Sequence, residues 1–174
     1  MDTIEAIMTR RSIRKYTSQP VADEIVERLL RAGMAAPSAA NEQPWYFVVI
    51  KDRSLLDQVP SFHAHSHMLG GAALAILVCE DPGLEVVNGR GMLDCSNATE
   101  NILLAAHALG LGAVWLGIYP VEERMNGMRK LLGIPSQIIP VALVSIGYPD
   151  EKLRQEDRFK PERVHSNLWV KTKE

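Results

Sequence analysis

Apolar residues along this chain change their spacing several times, and each change marks a predicted element. Over residues 21–33, Ile25, Val26, Leu29 and Leu30 recur at helical spacing, with Asp23 and Glu24 in the first turn, where carboxylates complement the positive end of a helix. Gly33 and Pro37 end that helix. Residues 46–50 are continuously aromatic or β-branched, bounded by Pro44 and a charged turn at Lys51, Asp52 and Arg53, and predict a buried strand. Residues 74–78 predict a second. Between residues 90 and 109, Met92, Cys95, Thr99, Ile102, Leu103 and Ala106 repeat at threes and fours, with Gly110 and Gly112 as the stop. This is the longest predicted helix. Its alanines and serines allow a second helix to approach closely, either within one chain's core or across a dimer interface. Residues 113–116 and 141–147 predict two further strands, separated by a helix over 121–132. From about 149 to 161 the sequence is polar and without period.

Strands that alternate with helices predict a mixed sheet flanked by helices. The length of 174 residues with 47% hydrophobic positions fits one domain over 1–174, which at this size buries roughly 70% of its unfolded surface. Residues 149–174 form a C-terminal extension that crosses something rather than packing as its own unit. Neither Gly89-Arg90-Gly91 nor Gly110-Leu111-Gly112 makes the dinucleotide fingerprint, which disfavours a Rossmann NAD domain.

A formal charge of −2 gives no global basic field and argues against nucleic acid as a partner. Arginine clusters therefore read as small-anion sites. Cys79 and Cys95 lie in apolar elements and do not suggest a disulfide scaffold. The start Met1-Asp2-Thr3-Ile4-Glu5 has no secretory pattern, and no apolar run reaches the roughly 20 residues of a membrane span. The expectation is a soluble, cytoplasmic protein.

Two segments carry the candidate chemistry. Arg10, Arg11, Ser12 and Arg14 gather three guanidiniums and a hydroxyl, suited to a phosphate or an electron-rich ring edge. Taken alone, the run could equally be solvated arginines before a helix. Pro37, Ser38 and Ala39 let backbone approach a planar ligand, and Asn41 and Gln43 can donate to and accept from a heterocycle. Their plain alternative is an ordinary Pro-Ser-Asn loop. His63, His65 and His67 alternate, so that on a strand they would share one face and could ligate a metal, while a helix or loop would separate them. Solvated histidines, or contacts to a bound ligand or substrate, are the other readings. His107, inside the long helix, reads as structural. There is no Gly-Xaa-Ser-Xaa-Gly elbow, and Glu122 and Glu123 do not face each other on a helix, so hydrolase chemistry finds little support.

The two segments in this order, followed by the small-residue helix around Asn97, the 115–120 stretch Trp-Leu-Gly-Ile-Tyr-Pro and the basic Arg158-Phe159-Lys160, resemble the FMN-dependent nitroreductase family over nearly the whole chain. The resemblance implies a three-layer α+β fold with a mixed, mostly antiparallel sheet, and a homodimer whose C-terminal tail extends onto the partner. It implies that Arg10, Arg158 and Lys160 hold the FMN phosphate. Arg11 and Ser12 would flank phosphate and ribityl chain, and Arg14 would reach the pyrimidine edge. Pro37, Ser38 and Ala39, typically from the partner subunit, would line the ring, with Asn41 and Gln43 near the ribityl chain or ring edge. Gly117, Ile118 and Tyr119 would sit over the ring, with a backbone amide near N5. His67 stands about where a lysine is commoner in the family, which would make stabilisation of reduced flavin pH-dependent. The implied activity is ping-pong hydride transfer from NADH or NADPH through FMN to an acceptor such as a nitroaromatic or quinone. No metal and no acid or base residue is required. The lack of a long insertion before Trp115 implies a fairly open site. Alternatives are a flavin-dependent dehalogenase-like or flavin-fragmenting enzyme, or a protein that stores or senses FMN without turnover.

Overall fold

A computed structural model describes residues 1–169. Four strands, β1 (Trp45–Ile50), β2 (Leu74–Glu80), β3 (Gly112–Gly117) and β4 (Ile139–Gly147), lie in the order β1-β2-β4-β3. All neighbouring pairs are antiparallel. The expected parallel component is reduced to one isolated bridge, Ser12 with Ala113. The reason lies in adjacency. A helix between β2 and β3 returns the chain so that the two run in the same direction, but β4 inserts between them and opposes both.

The helices are α1 (Thr3–Thr9), α2 (Asp23–Met34), α3 (Arg53–Leu56), α4 (Gly91–Ala108) and α5 (Glu122–Leu132). They cover both faces of the sheet. Along β2, Leu74, Ile76 and Val78 point to a core with Val26 and Leu29 of α2 and Cys95, Ala98 and Ile102 of α4. Ala75, Leu77 and Cys79 point to the opposite core, with Leu56 of α3 and Met125 and Met128 of α5. A strand covered on both faces must be apolar at every position rather than at alternate ones. That is why residues 74–78 form an unbroken apolar run. At Gly33 an added Cβ would lie 3.0 Å from Ile102 Cγ1, so the missing side chain lets α2 close onto α4. Gly133 ends α5 in the left-handed conformation, φ 66°, with its N–H donating to Arg129 O.

Helix α1 was not evident from periodicity, because only Ala6 of its seven residues is buried. Asp2 caps it, accepting from Glu5 N at 2.9 Å. Beyond it, residues 10–17 run along the sheet edge. Ile13 N donates to Ala113 O at 3.0 Å and Thr17 N to Tyr148 O at 2.9 Å. The tail returns beside this segment through the Tyr16–Pro149 bridge and Asp150 N to Lys15 O. Further on it is exposed, with Phe159 at 71% and Trp169 at 82%. Among the described residues no helix is long and apolar enough to cross a membrane. Cys79 and Cys95 are buried free thiols, and burial pushes Cys79 up to about 12.

Candidate active site

The edge strand β3 decides the geometry. In an antiparallel ladder, residues alternate between those bonded to the partner strand and those whose N–H and C=O point away from it. Gly117 is paired with Ala142, and Ile118 N donates to Val141 O at 3.2 Å. Gly117, Trp115 and Ala113 are therefore the residues whose backbone groups face outward. Ala113 spends its carbonyl on Ile13 N. Trp115 and Gly117 face an open cavity of about 510 Å³, within the usual range for small-ligand sites.

Arg14, His63, His65, His67 and Arg124 line the same cavity together with Met68 and residues 114–117 of β3. The lining contains two guanidiniums and three imidazoles but no carboxylate. At Gly117 an added Cβ would meet nothing within 4 Å, so packing within this chain does not explain the missing side chain. It leaves bare backbone where a flat ligand can lie. Of the backbone amides expected near a ring, Ile118 N and Tyr119 N both donate to Val141 O. Gly117 N–H is the one directed outward.

His63 is buried and its Nε2 lies 3.1 Å from Gly117 O, which also accepts from Arg124 Nη1 at 2.8 Å. Burial, and then the Arg124 charge, hold His63 below the ordinary histidine range. His65 and His67 are exposed on the cavity side, in a region of 3-10 turns rather than a strand. The three rings do not form a metal cluster, and among the described residues no group of three His, Cys, Asp or Glu side chains could hold an ion.

The arginine run is already engaged. Arg10 pairs with Glu100 of α4 at 3.3 Å. Arg11 donates to Arg154 O at 3.3 Å and Glu156 O at 3.4 Å, fastening the start of the tail. Ser12 forms the edge bridge to Ala113, and Arg14 and Lys15 donate their backbone N–H groups to Glu151 Oε1. Arg158 is exposed and pairs with Glu156, while Lys160 is exposed before a short turn. The structure thus brings residues 11–16 and 148–156 together, with Arg158 and Lys160 just beyond the last contact.

Pro37, Ser38, Ala39, Asn41 and Gln43 form a tight loop that does not line this cavity. Ala40, Asn41 and Gln43 all have positive φ, between 46° and 56°, a conformation non-glycine residues rarely hold. The loop persists because it is pinned. Ser38 Oγ accepts from Gln43 N, Asn41 Oδ1 from Gln43 Nε2, and Asp94 of α4 from Ala39 N at 3.1 Å. Glu42 Oε2 accepts from Val86 N and Val87 N. Glu80 and Glu85 complete a carboxyl cluster with Glu42 and Asp94. Glu80 is 4% exposed, and burial together with the neighbouring carboxylates pushes it up to about 7. Asp94 is raised by burial as well. Sequence reading missed this cluster and the Arg124 and Glu151 contacts, because their members are scattered along the chain. His107 is structural as expected: its Nε2 lies 2.7 Å from Thr9 Oγ1, whose hydroxyl donates to Glu5 O, so the imidazole is the donor.

The family model described as Nitroreductase family matches residues 7–64 and 61–148. This chain belongs to the nitroreductase family. A Methanothermobacter thermautotrophicus relative, provisionally named an NADH dehydrogenase/NAD(P)H nitroreductase, is 47% identical over 97% of this chain and 88% of its own length. An FMN-dependent nitroreductase from Clostridium difficile superposes with a TM-score of 0.88 at 30% identity, covering 95% of this chain and 99% of that one. A provisional nitroreductase from Desulfovibrio desulfuricans, crystallised in complex with FMN, superposes at 0.84 with 34% identity over 98% and 99%. Membership accords with the α+β fold described above.

Proposed function

We propose that this nitroreductase-family chain is a homodimeric, cytoplasmic FMN-dependent NAD(P)H oxidoreductase that works by a ping-pong mechanism on a small oxidised acceptor such as a nitroaromatic or quinone. The observation that carries the reading is the outward edge of β3 at Trp115 and Gly117, with the Gly117 N–H facing an open cavity that Arg14 and His67 rim and no carboxylate lines. A flavin needs flat walls, donors for its pyrimidine edge and cations for its phosphate, and these residues suit it. FMN, when bound, supplies the hydride chemistry, accepting from the nicotinamide and giving to the acceptor.

The chain's own residues bind and orient. Arg14 and His67 offer donors at the pyrimidine edge, and Gly117 N–H offers one toward N5, with Ile118 and Tyr119 completing the same wall. Arg10, Arg11 and Ser12, with Arg158 and Lys160 from the tail, hold the phosphate and ribityl chain. Arg10 then exchanges Glu100 for a phosphate oxygen. Acceptor and donor reach the ring in turn because the cavity is open to solvent.

Two features support the dimer. The Pro37–Gln43 segment, with ring-lining Pro37, Ser38 and Ala39 and carboxamides at Asn41 and Gln43, is absent from its own chain's cavity, so it serves the site of the other subunit. Exposed Phe159, Val164, Leu168 and Trp169 leave the tail without a cover, as a segment laid across a partner would be. Two buried free thiols suit a reducing cytoplasm. Anaerobic stopped-flow reduction of the FMN-loaded protein by NADH and NADPH, followed by mixing with a quinone, tests the reading. Bleaching and recovery with parallel-line steady-state kinetics are expected, and a flavin that neither donor reduces would point instead to storage or sensing.

A further inference from the structure

We propose that His63 and Arg124 are a positioning pair that clamps the Gly117 carbonyl and thereby aims the Gly117 N–H at the flavin. The inference rests on the reading that FMN lies against the β3 edge. A carbonyl oxygen only accepts, so both the Arg124 Nη1 contact at 2.8 Å and the His63 Nε2 contact at 3.1 Å are donations to Gly117 O. His63 Nε2 must therefore carry the proton. Its Nδ1 is left with a lone pair, and that atom is buried without a hydrogen-bond partner.

A residue chosen only to fill the core would not leave a polar atom unpaired, since an apolar side chain fills the space without that cost. The imidazole is explained by what its other nitrogen does. The peptide joining Gly117 to Ile118 is held on both edges, its N–H by Val141 O at 3.2 Å and its C=O by the two side chains. Val141 is itself the extra residue of a register shift, between Ala142 paired with Val78 and Pro140 paired with Cys79. Glycine is the residue whose backbone is least restrained by its own side chain. The Gly117 N–H belongs to the preceding Leu116–Gly117 peptide, and the clamped peptide restrains it only through the two Gly117 dihedrals, which no side chain limits; without the clamp, the last residue of the edge strand could leave strand geometry and carry that N–H off its line. Burial, and then the Arg124 charge, hold the His63 imidazole below its ordinary range, which favours the neutral ring that donates from Nε2. His65 is the other titratable group whose charge opposes protonation there.

The test compares His63→Leu, which removes the donor, with His63→Gln, whose side-chain amide can place an N–H near the position of Nε2. Apoprotein is titrated with FMN by fluorescence, the flavin midpoint potential is measured, and thermal melts are run on each. His63→Leu should bind FMN about ten-fold more weakly and shift the potential while its melting temperature stays the same or rises. His63→Gln should return FMN affinity to within about three-fold of the parent. Arg124→Gln, at a half-exposed position, should show the same pattern more weakly, and serves if the leucine variant does not fold. Wild-type affinity and potential in His63→Leu or, should it not fold, in Arg124→Gln would overturn the clamp. So would a glutamine variant as weak as leucine. A wild-type protein that takes up no FMN would overturn the functional reading instead. In that event, proton–nitrogen correlation spectra of the imidazole still decide the clamp: a neutral ring protonated on Nε2 is expected, and protonation on Nδ1 would overturn it.

Discussion

Replacing Glu80 with glutamine should stabilise the protein at alkaline pH and do almost nothing in acid. Glu80 ends β2 with its Oε2 unpartnered and with Glu85, Asp94 and Glu42 as its charged neighbours. Burial and those neighbours raise its carboxyl from 4.5 to about 7. A raised carboxyl pKa means that the folded state binds a proton that the unfolded state releases. Stability therefore falls as pH rises from about 4.5 to about 7, and the whole penalty is present above that window. At roughly 1.4 kcal/mol per pH unit, the interval sets a ceiling near 3 kcal/mol, and screening by water around exposed Glu85 brings the expectation to about 1–2 kcal/mol. Glutamine keeps the size and hydrogen bonding of the protonated acid without the charge. Urea denaturation at pH 8 should show Glu80→Gln more stable by that amount, which corresponds to a rise of several degrees in Tm for a chain of this length. At pH 4.5 the difference should shrink to a few tenths of a kcal/mol. Equal stabilisation at both pH values, or destabilisation at pH 8, would refute the account. The same cluster anchors the Pro37–Gln43 loop through Asp94 and Glu42, so the stability of that loop should follow the same window.

Arg10→Ala should weaken FMN retention by about ten- to one-hundred-fold, because a charge-assisted phosphate contact contributes roughly 1.5–3 kcal/mol; equilibrium dialysis measures it, and unchanged affinity would contradict the phosphate assignment. Tyr16→Phe removes a hydroxyl that donates to Ile13 O at 2.8 Å and lies 3.0 Å from Ser145 Oγ, and should cost about 1–2 kcal/mol at pH 7 in a denaturant titration. Burial raises the Tyr16 phenol from 10.0 to about 12, so the parent should lose stability between those pH values, a slope that Tyr16→Phe should lack. Gly133→Ala places a Cβ at φ 66° and should lower stability by about 1 kcal/mol, read from thermal melts. Truncation after Glu156 removes the exposed apolar tail and should shift sedimentation velocity from dimer toward monomer.

Much of the fold could be read from the sequence because its apolar periods are strong. The run at 74–78 became β2, which is buried on both faces, and the stripe from Met92 to Ala106 became α4, which buries Cys95, Ala98, Ile102, Leu103 and Ala106 and leaves Leu93 and Asn97 exposed. Helix α1 escaped because one buried alanine sets no period, although Asp2 and Glu5 stand at capping spacing. Strand adjacency escaped because insertion of β4 between β2 and β3 is a long-range pairing with no local signature. Arg14, His67 and Gly117, each singled out from the sequence, line one cavity. The pairing of Arg10 with Glu100, the carboxyl cluster beneath the 37–43 loop and the Arg124 donation to Gly117 each join residues far apart in sequence or of ordinary type. No spacing rule marks them.

The most direct test of the central claim is an absorbance spectrum of the purified protein reconstituted with FMN, recorded anaerobically before and after NADH and then NADPH. A protein-bound flavin spectrum that bleaches with one or both donors and recovers on addition of a quinone is the predicted result. A protein that takes up no FMN, or a bound flavin that stays oxidised with both donors, would contradict the assignment of the β3 cavity as an oxidoreductase site.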